Sequence, residues 1–146
     1  MFNDNFAVMR HAVQDSRGEI PDSEQKICQG VARLLAAKIP GKKVIIYHSP
    51  LSRARLTAEV VKSQLEQLGF AVETCAPLDW LQSRLTSHDI SRVLPEDESY
   101  FTIFVTHQPE IVDFLGNFYL YPAIYNCDLF SKDFYIRRQE ARAAGI

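Results

Sequence analysis

Three short apolar runs, each ending in a polar break followed by a helix-like pattern, constrain this chain more than any other feature of its 146 residues. Phe6-Ala7-Val8-Met9 leads into Arg10-His11. Val44-Ile45-Ile46-Tyr47 leads into His48-Ser49-Pro50, and residues 101–105 lead into Thr106-His107-Gln108-Pro109. Apolar runs of this length, bounded by turn-forming residues, read as buried strands. Between them, Ile27, Val31, Leu34 and Leu35 fall at i, i+4, i+7 and i+8, the stripe of an amphipathic helix. Asp22 or Ser23 is the expected cap of that helix, and Pro40-Gly41 its stop. Ala54, Ala58, Val61, Leu65 and Leu68 form a second stripe that Gly69 ends, with Ser49 as the expected cap and Pro50 at the first helical position. Strand–helix–strand alternation is the signature of parallel βαβ units. The expected fold is therefore a three-layer α/β/α sandwich with a mostly parallel sheet.

The expected strands are 5–9, 43–47, 70–75 and 100–105. A helix is expected from Pro109 through Phe118 and a short one over 90–94. Segments 124–130 and 133–137 read as one or two edge strands, and the chain from about 138 reads as a loosely packed tail. Length suggests one domain spanning 1–146. The aromatic stretch Tyr119-Leu120-Tyr121-Pro122, with Ile124-Tyr125, is either core or an interface.

Composition narrows the function classes. A net charge of -2 implies no broad basic face for nucleic acid. No apolar stretch approaches the roughly 20 residues that span a bilayer, and the first residues lack a basic, apolar leader, so a cytoplasmic protein without membrane attachment is expected. Cys28, Cys75 and Cys127 are odd in number and widely spaced, which suggests neither a disulfide framework nor a zinc knuckle.

The chemistry concentrates at the strand ends. Of the four histidines, His88 lies in a polar stretch and reads as solvated. His48, beside Ser49, is a possible lining residue. His11 and His107 each end an apolar strand, where ligands bind in open α/β sheets. None of the four shows HxH or HxxxH spacing, so no metal site is expected. Arg53 and Arg55 lie roughly 200° apart around one helix. Arg53 is nearer the helix start and is the better anion ligand; Arg55 reads as a surface charge. Guanidinium forks match pairs of phosphate oxygens, so Arg10, Arg53, His11 and His107 together suggest a phosphate cage. A nucleotide-binding domain is disfavoured, because no glycine-rich GxGxxG or Walker-type loop follows any strand.

The segments Val8-Met9-Arg10-His11-Ala12, Ser49-Pro50-Leu51-Ser52-Arg53-Ala54-Arg55-Leu56-Thr57-Ala58-Glu59 and Val105-Thr106-His107-Gln108-Pro109 resemble the histidine phosphatase (phosphoglycerate mutase-like) superfamily. Short length and the Arg-His-Ala form resemble its SixA-type phosphohistidine phosphatases in particular. The resemblance implies a phosphatase with His11 as the nucleophile that becomes phosphorylated, Arg10 and Arg53 as phosphoryl ligands, and His107 as a second histidine on the phosphoryl group. It implies no metal or organic cofactor, since arginines supply the charge. The substrate it implies is a phosphorylated protein, above all on histidine, or a small phosphomonoester. The chain departs from the superfamily pattern at Ala12, where glycine is common, at His48 and at Arg17. Members acting on alcohol phosphates carry a carboxylic acid after the third strand; Asp79 is the candidate here, with a plain helix-start carboxylate as the alternative. The doubtful acid, with His48 and Arg17, leaves a second function class open, a non-catalytic phosphate-binding or regulatory module.

Overall fold

The computed structural model describes residues 5–39, 41–116 and 123–145. Strands β1 (Phe6–Arg10), β2 (Lys43–His48), β3 (Ala71–Pro77) and β4 (Tyr100–Thr106) run parallel. With β5 (Leu129–Ser131) and β6 (Tyr135–Ile136) they form one sheet in the order β3-β2-β4-β1-β5-β6. β5 is antiparallel to both β1 and β6.

Both faces of the sheet are covered, which is why the strands read as continuous apolar runs. Ala7, Met9, Val44, Ile46, Ile103 and Val105 pack against α1 (Asp22–Ala36), α2 (Ser52–Gln67) and α5 (Arg138–Ala144). Phe6, Val8, Phe104 and Phe130 face a second core, built by a 3-10 helix (Asp79–Gln82), α3 (Ser87–Val93) and α4 (Gln108–Gly116). The architecture is the three-layer sandwich that the alternation predicts. β1 and β4 are neighbours, yet β1 leads to α1 on one face and β4 to α4 on the other. At such a switch point the outgoing chains part and leave a crevice beyond the strand ends.

Residues 138–144 form helix α5, not a loosely packed tail. The reason is long-range and invisible to local pattern. Gly30 and Gly145 let two backbones touch: a Cβ at Gly30 would lie 1.8 Å from the Ala141 carbonyl oxygen, and one at Gly145 1.9 Å from that of Lys26. Arg138 also forks onto Glu24, with Nη1 to Oε1 at 2.7 Å.

The helix starts differ from expectation too. Pro21 precedes α1, and neither Asp22 nor Ser23 caps it through a side chain. α2 begins at Ser52 after Leu51, so Ser49 is not its cap and Pro50 not its first residue. α2 does end where expected, with Gly69 in the left-handed region at φ +91. Cys28 and Cys127, remote in sequence, bring their thiols to 3.8 Å in the core and remain unlinked. Tyr119-Leu120-Tyr121-Pro122 lies outside the described residues; Ile124 beside it is core, whereas Tyr125 is 61% exposed. Among the described residues no helix is long and apolar enough to cross a membrane.

Candidate active site

Sheet register brings three of the strand ends together. Arg10 pairs with Thr106, and His48 with Val105. One residue further on, the His11 N–H donates to the Thr106 carbonyl (3.0 Å) and the Ser49 N–H to the Val105 carbonyl (2.9 Å). His11, His107 and Ser49 therefore leave the sheet side by side, at the carboxyl ends of β1, β4 and β2. The His11 and His107 rings are 5.1 Å apart, centroid to centroid, at 60°.

Hydrogen bonds orient each ring. A carbonyl only accepts, so His11 Nδ1 donates to the Ala12 carbonyl at 2.8 Å. The proton of a neutral His11 is thereby held on Nδ1, and the Nε2 lone pair is free. Asn126 Nδ2 donates to the His11 carbonyl (2.9 Å), and Thr57 Oγ1 accepts the Ala12 N–H (2.8 Å), which ties the loop to α2. His107 is buried, with Nε2 at 2.7 Å from Ser49 Oγ. Ser49 Oγ also accepts the Leu51 N–H at 3.3 Å.

Burial chiefly, then the charges of Arg53 and Arg10, hold the His11 imidazole below its ordinary range, against the opposing pull of the Ala12 carbonyl. Burial, then His11, Arg53 and Arg10, push His107 down to about 4. Arg53 thus acts on both rings, from the first turn of α2, where its side chain is exposed. Arg10 is half-buried; one Nη donates to the Ile124 carbonyl. Arg10 Nε and His107 Nδ1 are both buried without a hydrogen-bond partner. Buried nitrogens without a partner are rare in folded proteins, and here they belong to a guanidinium and an imidazole, groups that suit an oxyanion rather than an apolar ligand.

The remaining sequence candidates fall elsewhere. Arg55 pairs with Glu59 on the surface of α2 at 2.9 Å, as its helical position predicts. His48 is buried, donates from Nδ1 to the Ser49 carbonyl (2.8 Å), and borders a cavity with Pro50, Cys75 and Pro77. Arg17 is engaged by Asp15 and Glu19 on an exposed loop and lines a groove against α1 and α2 whose wall includes none of Arg10, His11, Arg53 and His107. Asp79 opens the 3-10 helix and is exposed. That helix is tied to the site's rim, since the Leu78 N–H donates to the His48 carbonyl and Thr106 Oγ1 to the Leu81 carbonyl. His88 is exposed on α3. Among the described residues no group of three or more His, Cys, Asp and Glu could hold a metal ion.

Ser49, Thr57 and Asn126 carry structural parts that the sequence did not assign. Thr57 stood within a motif without a role, and Ser49 was expected only as a helix cap. Asn126 comes from the far end of the chain and gave no signal.

Compared as a sequence, the chain matches no family model and no curated protein. Compared as a structure, it is similar to the candidate phosphohistidine phosphatase SixA from Agrobacterium tumefaciens, with a TM-score of 0.65 and 17% identity over 93% of this chain and 96% of that one. It is also similar to the product of the open reading frame Rv3214 from Mycobacterium tuberculosis, with a TM-score of 0.51 and 11% identity over 90% and 93% of the two chains. From its first strand to its last helix, the chain has the SixA-like histidine phosphatase fold.

Proposed function

We propose that this protein is a metal-independent phosphatase that acts on protein phosphohistidine or another phosphomonoester through a phospho-His11 intermediate. The observation that carries the reading is the approach of the His11 and His107 rings, 5.1 Å apart at the strand ends, with His11 Nε2 free and buried, partnerless nitrogens on Arg10 and His107. In the first step Nε2 attacks phosphorus, a P–Nε2 bond forms, and the bond to the leaving nitrogen or oxygen breaks with its electron pair. Water then attacks the phosphorus, releases inorganic phosphate, and returns the electron pair to Nε2. The guanidiniums of Arg10 and Arg53 stabilise the charge on the phosphoryl oxygens in both steps, as metal ions do elsewhere. In this reading Ser49 donates to His107 Nε2, so the neutral imidazole carries its one proton on Nδ1 and donates it to the phosphoryl group. The fold shared with a SixA-type protein supports the same reading.

Asp79 is proposed as the proton donor to an alkoxide leaving group. A phosphoramidate leaves as a nitrogen base and needs less help, so the exposed position of Asp79 suits phosphohistidine better than an alcohol phosphate. Release of phosphate from phosphoramidate and from p-nitrophenyl phosphate, by wild-type protein and by His11→Ala, tests the proposal. Turnover that vanishes in His11→Ala supports it. Equal turnover by both proteins overturns it.

A further inference from the structure

A second surface adjoins the candidate active site and has no part in the reading above. Residues 124–128 return to the carboxyl end of β1. The Asp128 carbonyl accepts the Arg10 N–H, the Cys127 N–H donates to the Arg10 carbonyl, and Asn126 holds the His11 carbonyl. β6 ends on the same rim, because Ile136 pairs with Leu129 and Leu129 with Met9. Between this stretch and the start of α5 lies a cavity of about 260 Å³, lined by Tyr125, Asp128, Tyr135, Arg137, Arg138 and Arg142.

The lining is cationic in a chain whose net charge is -2. Asp128 is 1% exposed and shapes the groove from beneath: its carboxylate accepts the Tyr125 N–H (2.9 Å), the Tyr135 hydroxyl (2.9 Å) and the Arg138 N–H (2.7 Å). Arg138 is taken up by Glu24. Arg137 and Arg142 are exposed, and among the described residues neither forms an ion pair. Arg137 lies over the Tyr135 ring, its Cζ 5.1 Å from the ring centroid. Tyr125, at 61%, is more exposed than any other large hydrophobic residue described. Exposed tyrosine beside unpaired arginine is the composition of a recognition surface.

We infer that this groove docks an acidic segment of a phosphorylated protein substrate, next to the phosphorylated side chain that enters at His11. The inference rests on the phosphatase reading above. Charge complementarity selects the occupant: guanidinium forks match carboxylates, and a basic or neutral segment finds no partner here. Such a surface acts on encounter and selectivity and is sensitive to salt.

Two fluorescein-labelled peptides test it. Both are centred on phosphotriazolylalanine, a stable mimic of phosphohistidine; one is flanked by glutamates, the other by glutamines. Anisotropy titration of the wild-type protein is expected to show about tenfold tighter binding of the glutamate peptide, a gap that narrows with added salt. In Arg137→Glu/Arg142→Glu the ratio of the two affinities should fall to about one. Equal affinities in the wild type, binding of neither peptide, or a gap that survives the charge reversal would each overturn the inference. If the double variant does not fold, Arg142→Gln alone must narrow the gap, and an unchanged gap is equally fatal. Phosphoramidate hydrolysis by the same wild-type preparation separates the two readings. Turnover without a glutamate preference discards the groove and leaves the phosphatase; absence of turnover removes the phosphatase reading and the inference with it.

Discussion

Ser49 Oγ stands 2.7 Å from His107 Nε2, joining the end of β2 to the end of β4 across 58 residues of sequence. This contact engages Nε2 of His107 and leaves Nδ1 as the nitrogen without a partner. Ser49→Ala removes it and leaves a buried nitrogen unsatisfied, a penalty of about 1–3 kcal/mol. The expected result is a fall in kcat/KM of roughly five- to a hundredfold, with the fold intact by circular dichroism. A kcat/KM within twofold of wild type would show that His107 needs no such orientation.

Acid should destabilise the protein through its histidines. An unfolded histidine titrates at about 6.5, whereas His107 in the fold is pushed down to about 4 and His11 is also lowered. As pH falls from 6.5 towards 4, the unfolded chain binds protons that the folded one refuses. Stability is therefore full above pH 6.5 and declines below it, by about 3 kcal/mol at most from His107. Urea titrations across this range should show the loss, and His107→Gln should lose less. An identical acid slope in both proteins would place the cause elsewhere.

Asp79 should matter according to the leaving group. Loss of a general acid costs about a hundredfold or more where an alkoxide must be protonated, and far less where nitrogen leaves. Asp79→Asn is thus expected to slow p-nitrophenyl phosphate more weakly than an alkyl phosphate, and phosphoramidate least of all. Steady-state rates on the three substrates give the comparison; uniform rates across the series would remove Asp79 from the chemistry.

The contact between α1 and α5 predicts a stability effect far from the site. Gly30→Ala places a Cβ where the Ala141 carbonyl now sits. Overpacking of this kind costs about 1–3 kcal/mol. A lowered thermal midpoint, with His11 chemistry retained, is expected. An unchanged midpoint would mean that α5 contributes little to the folded core.

The strands, the layers and the four residues brought to one rim were legible because local pattern carries them. Apolar runs end where the sheet ends, and Arg10, His11, Arg53 and His107 stand at or just beyond those ends. What stayed hidden depends on contacts between remote segments. The helical character of 138–144 depends on Gly30 and Glu24 more than a hundred residues away. Arg17 departs from the superfamily pattern in sequence, and Asp15 and Glu19 hold it on an exposed loop. His48 stands next to Ser49 in sequence, and its burial and its bond to the Ser49 carbonyl carry no local sequence signal. Ser49 itself looked like a helix cap, because Ser-Pro before an alanine-rich stripe is a helix-start pattern; the hydrogen bond to His107 redirects it.

The central claim is a covalent phosphate on His11. Wild-type protein mixed with 32P-labelled phosphoramidate and denatured in alkaline detergent should retain label that is stable to base and released by acid, the behaviour of phosphohistidine. Peptide mapping should place that label on His11, and His11→Ala should carry none. Label in equal amount on His11→Ala, or steady hydrolysis by the wild type with no trapped phosphate at any time point, would contradict the account.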